Sequence, residues 1–188
     1  MKRARLGGGL DMDAQGGCNR GELDGSDEMD RLMPVAERVG ALLKRRGDKV
    51  AVAESSAGGL ISAALLAVAG ASAYFQGGVV VYTRLSRNLL LELSDRDLAS
   101  VAPNSVGMAA LMAGAVKERF GTTWGLAETG AAGPGGNRYG HPAGRACFAV
   151  AGPMPLSLQI DTGIDDRVEN MWLFAARGLE VFEEALKG

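Results

Sequence analysis

The sequence predicts an α/β fold: a three-layer α/β/α arrangement around a mixed, partly antiparallel sheet. Three observations carry this reading. Short buried-looking runs rich in Val and Ala alternate with segments whose apolar residues recur at helical spacing. Glycines punctuate the boundaries, as at Gly47 and Gly70. The last two strand-like runs follow each other too closely for a crossover helix, so part of the sheet must be antiparallel.

Of the 188 residues, the first 30 form the one stretch without periodicity. Seven glycines stand there among scattered charges, and the segment carries a net −3 while the remainder carries +1. Its few apolar side chains cannot offset the entropy of ordering. Residues 1–30 therefore read as a disordered tail, and residues 31–188 as a single domain. That length suits one core.

Leu32, Val35, Ala36, Val39, Leu42 and Leu43 form the apolar stripe of a first helix, stopped at Gly47. Val50–Ala53 is a short strand running into Glu54-Ser55-Ser56-Ala57-Gly58-Gly59. Residues 60–69 return to helix, and Gly77–Tyr82 is a second strand with β-branched residues. A short helix spans Ser86–Leu91. Ser105 caps a longer one that reaches Arg119. Trp124–Glu128 reads as strand, Thr129–Pro142 as a turn-rich loop, and Arg145–Val150 and Leu156–Ile160 as the closing strands. The final helix carries Val168, Met171, Trp172, Ala175, Leu179, Phe182 and Leu186 on one stripe.

Composition excludes several classes. With 20 basic and 22 acidic residues, the chain lacks the basic surface that holds nucleic acid. No apolar run nears the roughly 18 residues of a membrane span. The start is not a secretory signal, so the expected location is cytoplasmic. Two cysteines, Cys18 and Cys147, make neither a disulfide framework nor a zinc set, and the single His141 cannot build a multi-histidine metal site. No metal or cofactor is implied.

Two stretches stand out chemically. After the first strand, Gly58 and Gly59 would let an anion approach backbone N–H groups at a helix start. Ser55 or Ser56 there could donate hydrogen bonds or attack as a nucleophile, or both could merely cap the helix. The second stretch is Thr129-Gly130-Ala131-Ala132-Gly133-Pro134-Gly135-Gly136-Asn137, at the sheet edge where open α/β sheets bind ligands. It matches neither dinucleotide-binding nor phosphate-loop patterns, and a flexible connector is the alternative. His141 is a conceivable base but reads as an idle loop histidine. Glu128 is either an acid or base with a raised pKa or a strand end meeting solvent. Arg167 could fork onto a phosphate or pair with Asp165 and Asp166. Cys147 reads as a buried small apolar residue.

Together these stretches resemble the CinA C-terminal domain family, whose enzymatic members deamidate nicotinamide mononucleotide. The family turn ESCTGG appears as Glu54 to Gly59, reading ESSAGG. Its GAS element is Gly70-Ala71-Ser72, its Tyr-ended strand Gly77 to Tyr82, and its GIAGPDGG loop Gly130 to Gly136. A Pro-x-Gly follows at Pro142-Ala143-Gly144, then a Gly-Asp-Arg-like element at Asp166-Arg167. The resemblance runs from Leu32 to Leu186. It implies an amidohydrolase acting on a pyridine nucleotide, with Ser55 as nucleophile and Tyr82 and Arg87 orienting it or polarising the site. Arg87 stands where the family has an activating lysine, and arginine remains protonated. The proton of Ser55 would then pass to Tyr82, Glu54, Glu128 or water. Glu54, Ser56, Gly58, Gly59, Thr129, Gly130 and Gly133 would hold the nucleotide and an oxyanion, and Arg167 the phosphate. A small-molecule nucleotide is the implied partner, with a homodimer or higher homo-oligomer. The Arg87 change also admits a nucleotide binder without catalysis, or a hydrolase with a different small substrate.

Overall fold

A computed structural model describes residues 26–137 and 139–188. Of the segment read as tail, residues 1–25 (with Cys18) lie outside the described residues. Ser26–Asp30, read as its end, form a short helix α1. Helix α2, Met33–Arg46, starts with Pro34 in its first turn, where a missing N–H costs nothing. It ends on Gly47 in the left-handed region (φ 69°), which lets Asp48 N–H reach back to the Leu43 carbonyl at 3.1 Å. Lys44, Arg45 and Arg46 crowd the last turn, where the helix dipole favours cations.

Five strands form one sheet in the order β2-β1-β3-β4-β5: β1 Val50–Glu54, β2 Phe75–Val80, β3 Trp124–Ala131, β4 Arg145–Ala151 and β5 Leu156–Asp161. Strands β2, β1 and β3 are mutually parallel, while β4 runs antiparallel to both β3 and β5. The parallel pairs need crossovers, supplied by α3 (Leu60–Ala67) and by α4 (Arg84–Leu91), α5 (Asp95–Ala99) and α6 (Val106–Phe120). Helix α7, Arg167–Lys187, closes the chain.

Alternation along the strands builds two cores of different texture. Val50, Val52, Trp124, Leu126, Phe148 and Val150 pack with α2, α3 and α7. Ala51, Ala53, Ala127, Cys147 and Ala149 face the Met108, Ala109, Met112, Ala113 and Val116 side of α6. Small residues on that face allow close approach: a Cβ added at Gly125 would lie 2.1 Å from the Ala113 carbonyl oxygen. The apolar stripes of α2 and α7 are mostly taken up by the core, as Val39, Leu43, Phe174, Leu179 and Phe182 are buried, while Val168 at the start of the α7 stripe is exposed.

The structure departs from the sequence reading at several boundaries. Strand β3 continues three residues beyond Glu128, because Thr129, Gly130 and Ala131 pair with Cys147, Ala146 and Arg145. Glu128 is thus a buried mid-strand residue and not a strand end meeting solvent. Strand β2 begins at Phe75 and stops at Val80, leaving Tyr82 past its end. Helix α4 starts at Arg84 under a Thr83–Ser86 capping box. Helix α5, capped by Ser94, is too short to have shown periodicity.

Candidate functional site

The carboxyl ends of β1 and β3 open on the same edge of the sheet, where their following loops meet the segment after β2. A cavity of about 610 Å³ lies there, walled by Ser55, Tyr82, Arg87, Asn104, the Gly130–Gly136 segment and Arg167 among others. It falls in the usual size range for small-molecule sites.

Two buried carboxylates shape the turn that carries Ser55. Glu128 Oε2 accepts the backbone N–H of Ser55 at 3.0 Å and of Ala57 at 2.8 Å, while Oε1 accepts the Ser56 hydroxyl in a short bond. Burial raises the Glu128 carboxyl to about 6, against the pull of these hydrogen bonds. Glu54 sits on the other side. Its Oε2 accepts Gly59 and Ile61 N–H, both at 3.0 Å, and its Oε1 accepts Ser62 N–H at 2.9 Å and Ser62 Oγ at 2.6 Å. Glu54 therefore neutralises the N-terminal pole of α3 from within the protein. Burial raises its pKa as well. Positive φ at Gly58 (69°) and Gly59 (102°) bends the chain over it.

Ser55 Oγ accepts a hydrogen bond from Arg87 Nη2 at 3.4 Å. Arg87 reaches it from α4, and its Nε is buried without a partner among the described residues. Desolvation lowers the Arg87 pKa, with Tyr139 and Glu128 opposing. At the cavity rim, Arg167 Nη1 donates to the Gly133 carbonyl at 2.8 Å. Its Nη2 donates to the Tyr82 hydroxyl at 3.5 Å, with the guanidinium 5.8 Å from the Tyr82 ring centre. Tyr82 thus pairs with Arg167 and is 57% exposed, at the mouth of the cavity.

The glycine segment is tied to its surroundings by hydrogen bonds from three neighbouring segments. Asp165 Oδ1 accepts Gly135 N–H at 2.6 Å, and Asn170 Nδ2 donates to the Ala132 carbonyl at 2.9 Å. Gly144 N–H donates to the Ala131 carbonyl at 2.8 Å. A Cβ at Gly130 would lie 2.5 Å from the Arg145 carbonyl and 2.8 Å from Ser56 Oγ, so the wall needs glycine there.

The cavity gathers Ser55, Ser56, Tyr82, Arg87, Gly130, Gly133 and Arg167. Glu54, Gly58, Gly59 and Thr129, expected to bind ligand, do not line it. Glu54 and Gly59 are bonded to each other, Gly58 packs toward Met171, and Thr129 is buried and donates to Asn104 Oδ1 at 3.1 Å. The Gly59 N–H expected to meet an anion is thus already spent on Glu54. His141 is taken up in a turn with Asn137, its N–H donating to Asn137 Oδ1 at 3.1 Å. Cys147 is buried, and desolvation lifts its thiol to about 11. Sequence reasoning missed Asn104, which lines the cavity with φ 48°. Asparagine tolerates that left-handed geometry, but an Asn before a helix cap is too common a pattern to mark a site.

Among the described residues, no helix is long and apolar enough to cross a membrane. The CinA C-terminal domain family model matches residues 32–186. A CinA-like protein of Synechocystis sp. is 40% identical over 139 residues, covering 74% of this chain and 33% of that protein. One from Cyanothece sp. is 43% identical over 129 residues, covering 69% of this chain and 30% of that one. The chain thus spans about a third of the length of these curated relatives. Among solved structures, a competence-damaged protein (CinA) superfamily member from Klebsiella pneumoniae superposes with a TM-score of 0.77 at 25% identity, covering 83% of this chain and 98% of its own. The competence/damage inducible protein CihA from Agrobacterium tumefaciens gives a TM-score of 0.75 at 29% identity, covering 84% and 96%. With the family model spanning nearly all the described residues, the chain belongs to the CinA C-terminal domain family.

Proposed function

We propose that the cavity is the active site of an amidohydrolase that deamidates nicotinamide mononucleotide or a related pyridine nucleotide. The observation that carries this reading is Ser55: a nearly buried hydroxyl on a turn fixed by Glu128, with the Arg87 guanidinium against its Oγ. Ser55 Oγ adds to the carboxamide carbon to give an oxyanion; the C–N bond then breaks as the carbonyl re-forms, and the serine proton leaves with the nitrogen as ammonia. Water then adds to the acyl carbon, Ser55 departs with one of its protons, and the other passes to the released ammonia or to solvent, leaving the carboxylate. Arg87 stays protonated and serves as a fixed cation, favouring the alkoxide character that Ser55 develops during attack. Arg167 and the glycine wall at the rim receive the phosphate. The homo-oligomer expected from the family remains part of this proposal, and light scattering of the purified chain decides it.

The test is ammonia release from nicotinamide mononucleotide by the wild type, Ser55→Ala and Arg87→Lys. Turnover that vanishes in Ser55→Ala supports the reading. Turnover unaffected by that substitution removes Ser55 from the nucleophile role.

A second reading has an observation of its own. Among the described residues, Ser55 Oγ meets a donor, Arg87, and no acceptor that would take its proton. A nucleotide-binding homologue without catalysis has this arrangement, and it would bind the nucleotide tightly without releasing ammonia.

A further inference from the structure

An attacked carboxamide pushes the carbonyl electron pair onto oxygen, and that oxyanion needs donors nearby. Backbone N–H groups of a nucleophile turn commonly supply them. Here most of those donors are occupied: Ser55 and Ala57 N–H bind Glu128, and Gly59, Ile61 and Ser62 N–H bind Glu54, which leaves those of Ser56 and Gly58. With so few backbone donors left, a side chain on the cavity wall is the natural further donor.

Asn104 has the required features. It lines the cavity with Ser55 and Arg87, immediately before the Ser105 cap of α6. Its Oδ1 accepts the Thr129 hydroxyl at 3.1 Å, and its backbone carbonyl accepts the Cys147 thiol at 3.5 Å. The first bond fixes which half of the amide faces β3, leaving Nδ2 as the other half. That Nδ2 donates to no protein group among the described residues. The backbone holds Asn104 at φ 48°, a conformation that most side chains avoid and that clusters at functional sites. Glu128 and Thr129 are consecutive on β3 and so point to opposite faces. Glu128 holds the Ser55 turn, and Thr129 holds Asn104.

We infer that the Asn104 side-chain amide donates to the carbonyl oxygen of the ligand's carboxamide and stabilises the oxyanion formed when Ser55 adds. Thr129 is the positioning residue that aims it. No proton leaves Asn104 in this step; the carbonyl π pair moves to oxygen on attack and returns when the C–N bond breaks. The inference rests on the amidohydrolase reading and names how the same site recognises its substrate.

The test uses two substitutions that suit the positive φ. Asn104→Gly deletes the amide, and Asn104→Asp keeps the acceptor for Thr129 but removes the donor. Ammonia release from nicotinamide mononucleotide should fall about 100-fold in kcat for Asn104→Gly, and further for Asn104→Asp. Thr129→Val should lose part of kcat, and Thr129→Ser should restore it. Calorimetry of nicotinamide mononucleotide on a Ser55→Ala background, where the ligand is not consumed, should give an affinity several-fold weaker with Asn104→Gly. An unchanged kcat and affinity in Asn104→Gly overturns the inference. A wild type without turnover, but with binding that Asn104→Gly weakens, overturns the amidohydrolase reading and keeps Asn104 as the ligand's donor. Absence of binding to the Ser55→Ala chain overturns both.

Discussion

Arg87 Nη2 stands 3.4 Å from Ser55 Oγ, so the hydroxyl faces a cation, while the amide of the same serine faces the Glu128 carboxylate at 3.0 Å. The residue is thus clamped between opposite charges on two different atoms. Backbone position and hydroxyl reactivity are controlled separately, and each can be perturbed without the other.

Ser55→Ala should reduce ammonia release to below about a thousandth of wild type while leaving thermal stability near unchanged, since only a hydroxyl is lost. Arg87→Lys should raise kcat/KM and add an alkaline-side dependence, because a lysine ammonium can lose its proton and an arginine guanidinium cannot. A pH–rate profile of the two proteins checks this.

Glu128 gives a pH signature in stability and another in activity. Its folded pKa, about 6, is raised above the unfolded value of 4.5. The folded state therefore holds this proton more tightly than the unfolded state does. The stability it confers is fully present below pH 4.5 and is lost as pH rises through about 6, by about 2 kcal/mol. Glu54 is shifted in the same direction. Glu128→Gln should remove part of that slope in thermal melts between pH 4.5 and 7. A slope that survives intact would contradict the assignment.

Activity should respond oppositely. Protonated Glu128 turns one of its oxygens into a donor facing groups that donate to it. Turnover should then fall as pH drops below about 6, and Glu128→Gln, which puts an NH₂ in the same place, should lower kcat at every pH. The decisive comparison is kcat for both proteins from pH 5 to 8.

Arg167→Ala should weaken nucleotide binding about tenfold or more, the scale of a lost charge-assisted contact, and affect a nucleoside without phosphate far less. Calorimetry with the two ligands separates the phosphate contribution from disturbance of the Gly133 wall.

Gly125→Ala tests the close face of the sheet. Its new Cβ would meet the Ala113 carbonyl at 2.1 Å and Lys117 Cβ at 2.8 Å, forcing α6 outward. Unfolding in urea should show a loss of about 1–3 kcal/mol.

Much of the scaffold was legible in the sequence, because helical stripes and caps such as Gly47 and Ser105 are local signals. The mixed sheet followed from the short spacing of its last strands. What was not legible depended on register. Thr129, Gly130 and Ala131 have weak strand preference, yet pairing with β4 extends the strand through them. That extension turns Glu128 from a rim residue into a buried support and turns Thr129 away from the cavity. The two serines posed the same difficulty: one hydroxyl meets Arg87 and the next meets Glu128. Ser55 and Arg167 were candidates on residue chemistry as well as on the family pattern, Arg87 on the family pattern alone, and the cavity gathers all three.

The two carboxylates beneath the turn grip backbone N–H groups at Ser55, Ala57, Gly59, Ile61 and Ser62, with Ser56 and Ser62 adding hydroxyls. Almost any residue brings an N–H to those places. The turn is therefore a socket whose geometry is set by Glu54 and Glu128, and position 55 can be exchanged as an insert, whereas Ala57 is locked by its burial in the core. A library varied at position 55 would sample new nucleophiles on an unchanged frame, whereas one varied at Glu128 would lose the frame itself.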